Sequence, residues 1–197
     1  IRADIYGYIN PGNPVGAAKM AWRDASISHT KNGIYGSMFI SAMLAASYCT
    51  KNISEVINTG LCVIPKKSRL YSEVLRVIKW KDEGYSYEDC IEELHRQWNE
   101  TDTYDWCHVI SNAMIVCVGL LYGELDFGKS ICIGLMCGFD TDCNCATIGS
   151  IIGLINGYKS IPEYWISPIN DTLQTGISGF NFVKISELAR KTVDFFL

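Results

Sequence analysis

The chain has 197 residues, 48% of them hydrophobic and 19% charged, enough apolar material for one sizeable core and too little for two comfortable domains. Its formal charge of −4 and pI near 5.4 supply no basic field for a nucleic-acid backbone, so no nucleic-acid partner is expected. The longest strongly apolar run, Ala113 to Tyr122, is about half the ~20 residues a membrane-spanning helix requires, so no membrane is expected either.

Helical periodicity dominates and no sustained period of two flanked by hairpin turns appears, which predicts an all-α fold. The opening stretch IRADIYGYINPG starts at Ile1 without a helix start signal, as though cut from something longer, and the expectation is that an N-terminal portion of the same protein is missing. Asn13-Pro14 places a capping residue before a proline at the first helical position, and Ala17, Ala18, Ala21 and Ala25 carry a helix towards Ser26. Asn32-Gly33 breaks the chain before a second helix, Ile34 to Tyr48, whose small face of Ala42, Ala45 and Ala46 beside Met38 suits a central position. Ser68 to Trp80 carries Leu70, Val74, Val77 and Ile78 as an apolar stripe, and the stretch from Ser86 repeats the pattern with Tyr87, Cys90, Ile91, Leu94 and Trp98, as surface helices do.

Further on, Asp105 to Tyr122 and Phe127 to Cys137 are apolar on most faces and are expected in the interior. Asp140 to Asn156 follows a glycine as another helix, with Gly149, Gly153 and Gly157 recurring every fourth residue as a ridge for close helix packing. Pro162 to Phe182 reads as an irregular return path. A last amphipathic helix rests on Ile185, Leu188, Ala189, Thr192 and Phe196. The nine cysteines are odd in number and fall in apolar helical stretches, as Cys117, Cys132 and Cys137 do; they read as small core residues of a reducing, cytoplasmic protein. No pair has the two-residue gap of zinc ribbons.

The segment GFDTDCNCATIGSIIG, Gly138 to Gly153, sets Asp140 and Asp142 two residues apart at a helix start. Hard cations take carboxylate oxygens, and a helix start can hold adjacent side chains in a fixed fan around an ion. The plainer explanation is that aspartate caps helices and suits the positive end of the helix dipole. One acid is accounted for that way, a second less easily. His29, at the end of a helix, has terminal carbonyls to satisfy. His108 and Asn112 share a helix face, as an internal hydrogen-bonded pair would, with a cleft-facing role as the alternative, and His95 among Glu93, Arg96 and Gln97 reads as solvated.

The Gly-x-Asp-Thr-Asp segment followed by a small-residue helix resembles the C-terminal metal motif of the ADP-ribosylglycohydrolase family. The likeness continues in DASISHTKNGIYG, Asp24 to Gly36, and in WCHVISNAMIVCVGLLYG, Trp106 to Gly123, with Asp126-Phe127 after it, and is weakest between Asn52 and Thr103. It implies a compact, orthogonal multi-helix bundle, and makes residues 1–197 a single domain or the C-terminal portion of a larger one. It also implies two Mg²⁺ or Mn²⁺ ions in the complete site, with Asp140, Asp142 and the residue after them as ligands. That third residue is Cys143 here, where family members commonly have threonine or serine, and a soft thiol suits magnesium poorly.

The resemblance places His29, Asn32 and Tyr35 near the ADP-ribose cleft as substrate contacts. Arg2 and Asp4 fall at the edge of a phosphate-contacting loop, and Tyr6, Tyr8 and Trp165 are candidates to stack on adenine. The implied function is metal-dependent hydrolysis of the glycosidic bond between ADP-ribose and a protein or small-molecule acceptor. The alternative is a catalytically inactive ADP-ribose-binding or structural helical module. Because the family's Thr-Asp-Asp motif is absent from the chain, these 197 residues alone are expected to bind metal weakly and turn over little.

Overall fold

The computed structural model describes residues 2–195. Nine principal helices precede an irregular C-terminal section. A short α1, Asp4–Tyr8, leads into α2, Pro14–Ala25, whose Asn13 side chain accepts a hydrogen bond from the Gly16 amide ahead of a first-turn proline. Ala17, Ala18, Ala21 and Ala25 of α2 are buried against α3, Asn32–Ala46; that alanine stripe permits the close approach the sequence predicts. Gly7 is where α1 meets α3: a Cβ there would stand 2.9 Å from the Ser41 carbonyl oxygen.

Each of the next five helices begins with a side chain that accepts from its own first-turn amides. Asn52 opens α4, Ile53–Cys62; Ser68 opens α5, Arg69–Asp82; and Ser86 opens α6, Tyr87–Gln97, in a capping box with Asp89. His108 starts α7, Val109–Tyr122, and Asp126 starts α8, Phe127–Met136. The last long helix, α9, spans Thr141–Asn156 after Asp140. Around α7 the core closes: Ile110, Met114, Ile115 and Leu120 are almost wholly buried, with α3, α4, α5, α6, α8 and α9 packed against that helix. Among the described residues no helix is long and apolar enough to cross a membrane.

The all-α expectation holds, with one antiparallel pair added in the return path: β1, Thr172–Gln174, against β2, Phe182–Lys184, with Leu173 opposite Val183. A single-turn helix α10, Glu163–Ile166, precedes the pair and α11, Ile185–Val193, follows it with no buried residue. Phe196, assigned to that last helix, lies outside the described residues.

Four expectations are corrected. The helix expected from Asp105 begins at Val109, because Asp102 Oδ1 takes the Tyr104 amide at 2.8 Å and Asp105 Oδ2 takes that of Asn99 at 3.1 Å, turns that compete with helix. Helices α1 and α4 lie where none was expected. The Gly149–Gly153–Gly157 ridge makes no close approach: Cβ atoms on the first two would find ordinary contacts at 3.4 Å or more, and one on Gly157 would meet nothing within 4 Å. The tight packing of α9 instead uses Gly119 of α7 and Gly134 of α8, which together accept Ile148; a Cβ on Gly119 would lie 2.5 Å from Ile148 Cδ1. Cys132, expected in the core, is exposed, whereas Cys90, Cys117 and Cys137 are buried and all nine cysteines are free thiols.

Candidate active-site cleft

One cleft of about 790 Å³ opens between the α2–α3 corner, the start of α7 and the start of α9, within the size range of pockets for small organic ligands. At its charged end the Arg2 guanidinium pairs with Asp24 at 2.7 Å and also donates to Ser28 Oγ at 3.3 Å. Ser28 in turn lies 2.8 Å from Nδ1 of the exposed His29. Two of the five N–H groups of Arg2 are used in these bonds, so others remain for a ligand. Gly36 of α3 packs on Val109 of α7 at the inner wall, where Ile40, Ala113 and Val116 supply an apolar surface.

His108 stands on the opposite wall. Its Nδ1 accepts the Ile110 amide at 3.2 Å, and its ring stacks on Trp98 at 4.8 Å between centroids. Burial, with the Arg69 charge as a second cause, holds its pKa below the ordinary histidine value. An Nδ1 that accepts requires the neutral tautomer with the proton on Nε2, so the ring is a donor on that side.

Asp140 sits at the floor of the cleft, immediately before α9, and its side chain makes no capping bond. Partial burial first, then the nearby Asp142 carboxyl, raise its pKa above the usual aspartate range. Two neighbouring carboxyl groups disfavour each other's charge, and a cation would relieve that repulsion. Cys143 also faces the cleft, and burial pushes its thiol pKa up, which keeps it protonated and unsuited to a hard ion. Among the described residues no group of three or more His, Cys, Asp or Glu side chains is gathered closely enough to hold a metal ion. Asp140 and Asp142 are the two carboxylate donors at this helix start, short of the roughly six oxygen ligands that a hard divalent ion takes.

The approach to Asp140 is unusual backbone. Gly138 has φ +78° and Phe139 has φ +60°, a left-handed conformation that a bulky side chain adopts only when its surroundings impose it. Those surroundings are the Glu100 carboxylate, which accepts the Phe139 amide at 3.3 Å, and the His95 ring at 5.2 Å from that of Phe139. His95, expected to be merely solvated, also bonds the Cys137 carbonyl at 3.0 Å through Nε2.

Of the residues singled out in the sequence, the fold brings Arg2, His29, His108, Asn112, Asp140 and Cys143 to the cleft. Asp142 is exposed in the first turn of α9 and is not part of the lining. Asn32 is elsewhere, its Oδ1 accepting the Leu70 amide at 3.3 Å and tying α3 to α5, and Tyr35 packs on the edge of the core. Asp4 points from α1 towards Ser150 of α9, where burial raises its pKa and its Oδ1 has no partner among the described residues; the Ser150 hydroxyl takes a 2.6 Å bond from Tyr8. Tyr6, Tyr8 and Trp165 are likewise outside the cleft lining, whose exposed aromatic ring is Tyr104. The expected side-chain pair of His108 and Asn112 is instead a bond from Asn112 Nδ2 to the His108 backbone oxygen, because the imidazole is occupied as the α7 cap. Asn144 and Glu100 were not assigned to the site from sequence, and a neutral amide and a lone surface acid give no spacing signal that would have done so.

A comparison with curated proteins and with solved structures returns no match. The sequence profile of the ADP-ribosylglycohydrolases matches residues 1–194, which takes in every wall of the cleft. With that match over nearly the whole chain, and an all-helical architecture to go with it, the chain belongs to the ADP-ribosylglycohydrolase family, the hydrolases of ADP-ribose linkages.

Proposed function

We propose that the protein is a divalent-metal-dependent hydrolase that cleaves the bond between the anomeric carbon of ADP-ribose and a protein or small-molecule acceptor. The observation that carries the reading is the uncapped Asp140 carboxyl at the cleft floor with the Asp142 carboxyl beside it. Asp140 and Asp142 would hold Mg²⁺ or Mn²⁺, two ions in the complete site, and the bound metal supplies orientation of ribose hydroxyls and acidification of water. Arg2 takes the diphosphate with its unused N–H groups, as charge-assisted bonds. The neutral His108 donates from Nε2 to a ligand oxygen, and the apolar wall of Ile40, Ala113 and Val116 excludes water from the reacting end. Positive charge developing on the sugar ring is stabilised by the Asp140 carboxylate. Free thiols throughout accord with a reducing, cytoplasmic setting.

The test is release of ADP-ribose from ADP-ribosylated protein and small-molecule substrates with Mg²⁺, with Mn²⁺ and with EDTA. Metal-dependent release, abolished in Asp140→Ala and Asp142→Ala, is the expected result. A specific observation favours a second reading: Cys143 offers a protonated thiol where a hard donor belongs, and no three-donor cluster forms among the described residues. On that reading the domain binds ADP-ribose without cleaving it, and saturable ADP-ribose binding with no turnover under any metal would establish it.

A further inference from the structure

We propose that Asn112 is the positioning residue of this site, a single carboxamide that holds the cleft floor at Asp140 in register with the α7 wall. Its Oδ1 accepts the Asp140 backbone amide at 3.2 Å and Asn144 Nδ2 at 2.6 Å. Its Nδ2 donates to the carbonyl oxygens of Trp106 and His108, each at 3.0 Å. Two acceptor lone pairs and two donor hydrogens exhaust what an asparagine side chain can offer. The orientation of the carboxamide is thereby unambiguous, since both partners of the oxygen are donors and both partners of the nitrogen are acceptors.

Three features give this arrangement a consequence for the ligand. Asp140 has no side-chain cap of its own, so Asn112 supplies the one long-range bond that fixes its peptide and with it the origin of the carboxyl at the cleft floor. Asn144 is 2% exposed, so its amide has no water to replace Asn112. The carbonyls of Trp106 and His108 end the irregular 99–107 stretch that brings Tyr104, Cys107 and the His108 ring to the other wall. No apolar residue and no single-ended donor or acceptor performs both tasks at once. The inference rests on the cleft being the ADP-ribose site, and it adds the residue that sets the bearing of Asp140 against the α7 wall.

The experiment compares the wild-type chain with Asn112→Leu, which removes all four bonds at similar volume, and Asn112→Asp, which keeps both acceptor bonds and loses both donations. Two readouts are taken well below the unfolding transition: ADP-ribose affinity by calorimetry, and NMR at the groups Asn112 bonds, namely amide exchange at Asp140 and the backbone carbonyl ¹³C shifts of Trp106 and His108. The expected result is that Asn112→Leu weakens ADP-ribose about 10- to 100-fold, the range found when partners that orient metal-binding residues are removed. Its exchange is faster at Asp140 and both carbonyl signals move. In Asn112→Asp the carbonyl signals of Trp106 and His108 move while the Asp140 amide stays protected, and affinity falls less than in Asn112→Leu. That split separates positioning from general destabilisation, which would speed exchange along the whole of α7 and α9 and leave affinity per folded molecule unchanged. Should Asn112→Leu fail to fold, the pattern in Asn112→Asp decides alone. Unchanged affinity with unchanged signals at all three groups overturns the proposal. A wild-type chain that takes up no ADP-ribose removes the functional reading instead, and the NMR pattern then still decides whether Asn112 ties the cleft floor to the α7 wall.

Discussion

Ile148 lies in a notch made by one glycine from each of two neighbouring helices, and the arrangement makes a quantitative prediction. A Cβ on Gly134 would overlap Ile148 Cδ1, while its next neighbours, Cys145 Sγ and Ile148 Cγ1, lie at the ordinary distances of 3.8 and 3.9 Å. Gly134→Ala therefore combines a gain of about 1 kcal/mol from helix propensity with an overpacking cost of about 1–3 kcal/mol, and the net change is neutral to destabilising by about 2 kcal/mol. Ile148→Val removes the Cδ1 methyl and alone costs about 0.5–1.5 kcal/mol. In the double variant the added methyl occupies the vacated space, so overpacking disappears and the propensity gain remains. The double variant is expected to be at least as stable as Ile148→Val, with a favourable coupling of about 1–3 kcal/mol between the two sites. Gly119→Ala is rescued only in part by Ile148→Val, because its Cβ still meets the Ser130 carbonyl oxygen at 3.0 Å and Ile148 Cγ1 at 3.4 Å. Urea unfolding of the single and double variants, with unchanged m-values, measures both cycles. Additivity within about 0.5 kcal/mol at the Gly134–Ile148 pair would refute the reasoning.

Tyr122→Phe leaves the Tyr85 carbonyl without its 2.9 Å donor and the Cys90 thiol without its acceptor; a loss of about 1–3 kcal/mol is expected in the same urea assay, since the Phe ring keeps the contact with Lys81. Arg2→Ala breaks a largely exposed ion pair and is expected to change stability by less than about 1 kcal/mol. The same change should lower ADP-ribose affinity about 10-fold or more by calorimetry, the loss of one bond between charged partners. For His108 the folded pKa lies below the 6.5 of the free side chain, so the unfolded chain binds the extra proton first. Its contribution to stability is complete above pH 6.5 and is lost as pH falls through the lower folded value. His108→Gln should flatten that part of the stability profile, and an unflattened profile assigns the slope to other groups.

Much of the scaffold was written in local chemistry. Asn13-Pro14, Ser68 and Ser86 stand at the starts predicted for them, because a cap acts within its own first turn and needs no knowledge of the rest of the molecule. The alanine stripe of α2 likewise found the close partner it implies. The glycine ridge of α9 failed for the converse reason: periodic spacing states where an approach is permitted, and only the fold decides that Gly119 and Gly134 are where it happens. Asp140 was legible at the site since a paired acid at a helix start carries a chemical signature. Asn112 was legible as a polar residue in an apolar helix, yet the two partners of its oxygen lie 28 and 32 positions away in the chain, and no local pattern announces them. Asn32 and Tyr35, placed at the ligand by family likeness, follow the packing of α3 towards α5 and the core instead.

The left-handed corner at Gly138 and Phe139 carries a consequence for how this sequence can vary. A phenylalanine at φ +60° stores about 1–3 kcal/mol of backbone strain, where asparagine or glycine would sit at ease. Either of those residues at position 139 would relax the corner and would also take away the ring that leans on His95. Resilience gained there comes at the expense of the bearing of the peptide that follows, which Glu100 steers.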